Sequence, residues 1–375
     1  MSAMHSILWI DNWGDLAGGG QHSLFEIVTR LDRNVFRPVV ACGAEGSLSE
    51  SLRRCGIPVF VIPLPSLKGE ASSVSKAAAG LKELIEKEDI KIIHANSTRS
   101  ALYALSASKS LNKPVIYHAR VLRDRWADFF LDRYLSRNCK LIIANSNEVA
   151  KRFPKRRGVA KVQVIYNGID ISAFDKTDRQ NSRKAYGLDS ESAAVGIISM
   201  LEPRKGHGVL LDAFRIVRAN VPSARLLIAG SEPPGAGGWR QVLENSIRSY
   251  GLSDSVRLIG EVHDVASFMC AIDVFAFPVI KPEGFGRVVI EAYAARRAVV
   301  ASNLGALKEI IENGISGFLL PPGKINALAD AIIELLGDGA LRARLGEAGR
   351  RRAEAEFNID RLVDKVSACY RELLL

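Results

Sequence analysis

At 375 residues, with 47% hydrophobic and 25% charged side chains, the chain has material for two buried cores and lies far from disordered compositions. Its longest apolar runs, such as 274–280, are too short to span a membrane and read as buried strands. A net charge of +10 favours phosphorylated partners, yet no aromatic stacking platform or nucleic-acid module accompanies it, which argues against nucleic acid.

Residues 1–13 place no basic stretch before their apolar run and reach Asp11 almost at once, so they are expected to form a strand rather than a secretory signal. Short β-branched runs then alternate with longer helical patterns, the signature of parallel sheets covered by helices. In the first half, strands are expected at 7–10, 39–42, 59–62, 90–94, 115–117, 141–145 and 162–165. Ala17-Gly18-Gly19-Gly20-Gln21 lies between the first strand and a helix expected at 21–31. The run looks like a phosphate-binding turn but lacks the spacing of the dinucleotide fingerprint, and a flexible turn beside a reacting group fits equally. His118 stands just past the fifth strand, where a lone histidine is either a satisfied polar residue or a catalytic one. Five cysteines (Cys42, Cys55, Cys139, Cys270, Cys369) are scattered, which fits core-filling thiols in a reduced cytoplasm rather than disulfides or a zinc site.

Basic residues gather at Arg120, Arg123 and Arg125, and at Lys151, Arg152, Lys155, Arg156 and Arg157. The ordinary reading is a solvated face; the alternative is contact with anionic membrane. Strands stop between 165 and 193, where the Asn167-Gly168 turn and the polar stretch 175–192 read as a connector. The expected division is a first domain at 1–170, a linker at 171–192, a second domain at 193–355 and a last helix at 356–375.

In the second half, strands are expected at 195–199, 225–229, 256–259, 274–278, 298–302 and 318–320. A helix at 325–336 should stop at Gly337, and the last helix should bury Leu362, Val366, Tyr370 and Leu373. Two doubly wound α/β domains joined this way would enclose a cleft at the carboxyl ends of both sheets.

Two motifs of the second half carry chemistry. Lys281-Pro282-Glu283-Gly284-Phe285-Gly286-Arg287-Val288-Val289-Ile290-Glu291 follows a strand and opens a helix near Gly286. Glycines let backbone N–H groups approach a ligand, and a helix N-terminus favours a diphosphate. Glu283 and Glu291 can each accept paired hydroxyls of a sugar or ribose. A helix-start carboxylate explains Glu291 alone but leaves Glu283 and the glycines without a role. Glu202-Pro203-Arg204-Lys205-Gly206-His207 follows another strand end, where Arg204 or Lys205 would clamp a diphosphate from the opposite side. No metal-ligand cluster is evident in the sequence.

Together with Ile165-Tyr166-Asn167-Gly168-Ile169-Asp170, Leu227-Ile228-Ala229-Gly230 and Asn313-Gly314-Ile315-Ser316-Gly317-Phe318, these motifs resemble the "glycosyl transferases group 1" family across essentially the whole chain. The family consists of retaining enzymes of the two-domain GT-B fold. The resemblance implies that Lys205 holds the donor diphosphate. Glu283, with amides near Gly284, Phe285 and Gly286, would hold the transferred sugar and phosphate, and Glu291 the ribose. Gly19, Gly20 and His118 would border the sugar, and the last helix would cross back to the first domain. A nucleotide sugar would be co-substrate, with no cofactor, and the acceptor a glycan, a lipid-linked species or a small molecule. Such an enzyme would serve surface polysaccharide or glycolipid synthesis.

Two departures stand out. The family's arginine before the lysine is replaced by Ser199 and Met200, and its glycine and proline by Arg296 and Arg297. Paired carboxylates also suit a glycoside hydrolase, which needs no diphosphate clamp. A sugar-nucleotide epimerase of the same fold and a degenerate donor-binding subunit would share these motifs as well.

Overall fold

The computed structural model describes residues 4–16, 18–67, 70–122, 127–154, 158–233, 235 and 237–375. Ala17, Arg123, Arg125, Lys155, Arg156 and Arg157, singled out above, lie outside the described residues. The chain forms two compact units, 1–168 with 359–375, and 169–358.

The first unit holds a parallel sheet of seven strands: β1 (His5–Asp11), β2 (Phe36–Cys42), β3 (Val59–Val61), β4 (Ile90–Ala95), β5 (Val115–Ala119), β6 (Leu141–Ala144) and β7 (Lys161–Val164). Their order is β3-β2-β1-β4-β5-β6-β7, so the winding reverses between β1 and β4. Alternation along β1 sends Leu8 and Ile10 into one core with Leu81, Leu84 and Ala104. Ile7 and Trp9 enter a second core with Leu24, Ile27 and Val28. The last helix, Ile359–Leu374, joins that second core through Ile359, Leu362, Val366 and Tyr370, with Leu373 only partly buried. Each fully buried Leu or Val there contributes about 1.5–3 kcal/mol, so the helix is an integral part of this unit.

The second unit has a six-stranded parallel sheet: β8 (Ala193–Ile198), β9 (Ala224–Ala229), β10 (Val256–Gly260), β11 (Val274–Phe277), β12 (Ala298–Ser302) and β13 (Phe318–Leu320). Its order, β10-β9-β8-β11-β12-β13, reverses between β8 and β11. In an open α/β sheet, the carboxyl ends of the two strands at such a reversal flank the ligand crevice.

The stretch expected as a linker at 171–192 is instead part of the second unit. It forms helices Ser172–Asp175 and Arg179–Ala185. Arg179 donates to Asp273 Oδ1 at 2.6 Å, and Arg183 donates to the Ser192 carbonyl at 2.5 Å and the Ala271 carbonyl at 3.1 Å. Charges that suggested a solvated connector therefore satisfy the sheet's loop carbonyls. Gly337 ends its helix, Ile325–Gly337, as expected, and Asp338 caps the next one, Gly339–Glu356, its carboxylate accepting from Leu341 N–H at 2.8 Å.

Candidate functional site

The loops after β8 and β11 bring the candidate donor residues of the second unit together. After β8 the tight turn Pro203–Lys205 ends at Gly206, whose φ is 80°. A Cβ there would lie 1.9 Å from the Pro278 carbonyl oxygen, so only glycine lets this turn rest on the end of β11. The two loops are also tied by Ile280 N–H donating to the Arg204 carbonyl at 2.9 Å.

That seating joins three side chains. Lys205 Nζ donates to Glu283 Oε1 at 2.6 Å, and Arg204 Nη1 reaches the same oxygen at 3.1 Å. Arg204 Nη2 also pairs with Glu202 at 2.7 Å. The Lys205 and Glu283 side chains are 8% and 14% exposed, against 40% for Arg204. Lys205 lies over the Phe277 ring, 5.6 Å from its centre, which holds the ammonium at the strand end. Two cations thus meet two carboxylates, Glu283 and Glu202, so an anion binding here would take Lys205 and Arg204 over from those partners.

Gly284, Phe285 and Gly286 complete the loop. Gly286 has φ 97° and starts helix Arg287–Ala294; a Cβ there would meet Leu307 Cδ2 at 2.7 Å. The Phe285 side chain is buried edge-on to Phe357, with ring centres 5.9 Å apart, so it anchors the loop while its backbone stays near the helix N-terminus. Glu291 lies in the second turn and accepts from Arg287 Nε at 2.8 Å, with both side chains largely buried. Arg287 was passed over in the sequence as a site residue, although its spacing from Glu291 signals such a pair.

Neither position of the family's missing arginine carries a cation. Ser199 Oγ meets His207 Nε2 at 3.0 Å, and Met200 is 43% exposed. Burial pushes His207 down to about 4, so it is neutral near pH 7.

The first unit gathers a polar network at the reversal between β1 and β4. Asp11, ending β1, accepts from Gln21 Nε2 at 3.0 Å and Asn96 Nδ2 at 2.6 Å. The helix here is Gly19–Arg30 rather than 21–31, so Gly19 and Gly20 form its first turn instead of a free loop. The Gly20 carbonyl accepts from Asn96 Nδ2 at 3.1 Å. Arg120, read above in a solvated cluster, instead donates through Nε to Asn96 at 2.9 Å and through Nη1 to Asn167 at 2.8 Å.

His118 is fully buried at the end of β5. Its Nδ1 lies 3.1 Å from Arg120 Nη2 and 3.1 Å from His94 Nε2. His94 Nδ1 in turn lies 2.7 Å from the Tyr370 hydroxyl, and its ring stacks on Trp9 at 3.6 Å. Burial first, and then the Arg120 charge, hold both histidines well below the usual imidazole range. Asp11, His94, Asn96 and Tyr370 gave no local signal in the sequence, because each gains its partner only through the sheet. In the second basic cluster, Arg152 is 8% exposed and pairs with Asp132 at 2.5 Å, while Lys151 pairs with Glu148 at 2.6 Å.

Among the described residues, no helix is long and apolar enough to cross a membrane, and no three His, Cys, Asp or Glu side chains group as a metal site would need.

Comparison with known proteins matches residues 17–173 to a model described as Glycosyltransferase Family 4, and 178–352 to one described as Glycosyl transferases group 1. A capsular polysaccharide biosynthesis glycosyltransferase, CapM, of Staphylococcus aureus is 26% identical over 305 residues, covering 78% of this chain and 79% of CapM. A phosphatidyl-myo-inositol mannosyltransferase of Mycobacterium leprae is 27% identical over 348 residues, covering 89% and 88%. Anabaena HepE, solved with UDP and glucose, superposes with a TM-score of 0.87 at 26% identity over 98% of this chain and all of its own. The same protein solved with UDP-glucose gives a TM-score of 0.86. With its first half matching the Glycosyltransferase Family 4 model, its second half the Glycosyl transferases group 1 model, and 98% of the chain superposing on a fold of two parallel-sheet domains, the protein is a glycosyltransferase of GT-B type.

Proposed function

We propose that the chain transfers a hexosyl unit from a nucleoside-diphosphate sugar to a glycan or lipid-linked acceptor, with retention and without a metal. The observation that carries this reading is the meeting of Lys205, Arg204 and Glu283 beside the N-terminus of helix Arg287–Ala294. As the bond from the sugar to the leaving oxygen breaks, charge grows on the diphosphate. Lys205, Arg204 and the helix amides stabilise it there, which is the part a divalent ion would otherwise play. Glu283 turns from these cations toward the sugar hydroxyls, and Glu291, preset by Arg287, takes the ribose. The UDP and UDP-glucose complexes of HepE support a uridine nucleotide as the first donor to try. The roles of CapM and the mannosyltransferase support surface polysaccharide or glycolipid synthesis. Free cysteines support a cytoplasmic location.

The acceptor reading has its own support in helix Ala127–Asn138. Phe129, Phe130 and Tyr134 are exposed there beside Arg133 and Arg137, a face suited to an anionic lipid surface. The test is turnover of a nucleotide-sugar panel with glycan and lipid acceptors in excess chelator. The expected result is acceptor-dependent release of nucleoside diphosphate and a product of retained configuration. Activity seen only with added divalent metal would overturn the metal-free part. A rearranged nucleotide sugar formed without acceptor would favour an epimerase instead.

A further inference from the structure

His118 carries a polar atom that nothing described accepts from: its Nε2 is buried and has no hydrogen-bond partner among the described residues. Two more buried atoms without a partner among the described residues lie at the same end of the first sheet, Asn12 Oδ1 past β1 and Asn145 Oδ1 past β6. Leaving such groups unpaired is costly, so several at the carboxyl end of one sheet point to a polar ligand.

The chemistry of the neighbours settles which nitrogen of His118 bears hydrogen. Arg120 can only donate, so His118 Nδ1, 3.1 Å from its Nη2, must accept. His94 Nε2, also 3.1 Å from that nitrogen, can then only be an N–H donor. A neutral His94 with hydrogen on Nε2 has a bare Nδ1, which takes the Tyr370 hydroxyl proton at 2.7 Å. Every link agrees, and the last one leaves His118 with Nε2–H. Arg120, His94 and Tyr370 are the titratable or charged groups that the described contacts bring to the two imidazoles.

We propose that Tyr370 and His94, with Arg120, are positioning residues that fix His118 as a hydrogen-bond donor through Nε2 toward an oxygen of the transferred sugar. His118 then cannot be the base that removes the acceptor proton, since its only bare nitrogen is already taken. The final helix reaches the reacting sugar through two rings although it touches no substrate. The sugar contact rests on the transferase reading above; the tautomer does not.

Imidazole nitrogen NMR on the full chain tests the tautomer without any substrate. The chain has six histidines, and His118→Gln identifies the His118 signals by their loss. The expected wild-type pattern is hydrogen on Nε2 for both His94 and His118. Hydrogen on His118 Nδ1, or an even mixture, would overturn the proposal. Activity separates positioning from packing. His94→Gln keeps an acceptor for Tyr370 and a donor for His118, whereas His94→Phe keeps the ring on Trp9 and loses both. His94→Phe should lower kcat roughly tenfold, as loss of orienting partners of an imidazole does, with donor KM little changed. His94→Gln should recover most of that loss. Wild-type kcat in His94→Phe, or a poorer rate in His94→Gln than in His94→Phe, would sink the relay. A correct tautomer in a wild-type chain that transfers no sugar would refute the function proposed above and leave the tautomer standing.

Discussion

Glu283 and Glu291 share one loop-helix segment but have different partners, and that difference predicts different failures. Glu283 is held by two cations at the strand ends, Glu291 by one arginine of its own helix. Glu283→Gln keeps the shape and loses the charge. It should lower turnover by about 2–4 kcal/mol while nucleotide affinity stays within roughly threefold, if its interaction is made chiefly in the transition state. Glu291→Ala should instead weaken nucleotide binding by about 1.5–3 kcal/mol as charged hydrogen bonds disappear. UDP titration calorimetry alongside initial rates distinguishes the two, and equal small effects would refute both assignments. Arg204 offers a second test, because its guanidinium sits on Glu283 rather than in solvent. Arg204→Ala should cost about 2–4 kcal/mol in turnover if Arg204 supplies the phosphate-binding cation that Met200 cannot. Arg204→Lys should restore little, since an ammonium does not reproduce the planar fork. Wild-type rates in Arg204→Ala would leave Lys205 as the side-chain cation of the clamp. The loops carrying these residues were legible in the sequence because each motif is local. His94 and Tyr370, 276 positions apart, were not, because only the folded sheet and last helix make them neighbours.

At the scale of elements, the β-branched runs marked all the described strands, since a parallel strand buried on both faces has little choice of composition. What failed was punctuation. Arg179 and Arg183 of the stretch 175–192 looked solvated but bind loop carbonyls, whereas Gly337 ends its helix as expected. The turn into β12 shows why composition misleads. The helix ends with Arg296 N–H donating to the Tyr293 carbonyl and Arg297 N–H to the Ala292 carbonyl, both at 2.9 Å, a Schellman closure. Arg296 holds the left-handed position of that closure, at φ 57°, where glycine is the least strained residue. Its exposed pairs with Asp175 and Glu347 contribute little, so backbone strain should dominate any substitution. Arg296→Val should therefore be about 1–2 kcal/mol less stable than Arg296→Gly, although both lose the same ion pairs. Urea unfolding midpoints measure the gap, and equal stabilities would contradict the strain account.

At the scale of the whole molecule, the excess of 51 basic over 41 acidic residues is not one undivided field. Arg152, Arg183 and Arg350 are buried and bind Asp132, Ala271 and Asp175. The basic stretch beginning at Lys151 thus gives up one cation to the interior, and the case for membrane contact moves to helix Ala127–Asn138. Phe130, Tyr134 and Arg137 follow helical spacing on its outer side, with Phe129 and Arg133 alongside, while Asp132 and Leu135 face inward. Phe129 and Phe130 are 60% and 61% exposed, and covering them with lipid would contribute about 1–2 kcal/mol each. Nearby basic residues add about 1 kcal/mol each on an anionic surface, and salt screens only that part. The chain should therefore sediment with phosphatidylglycerol-rich vesicles at low salt and partly dissociate at high salt. Replacing Phe129 and Phe130 by serine should remove the salt-resistant remainder. Both residues are solvent-facing, so the double variant should keep the wild-type unfolding midpoint and its turnover of water-soluble acceptors. Failure to bind at low salt, or binding that ignores the double substitution, would leave this face as ordinary surface and favour a soluble glycan as acceptor.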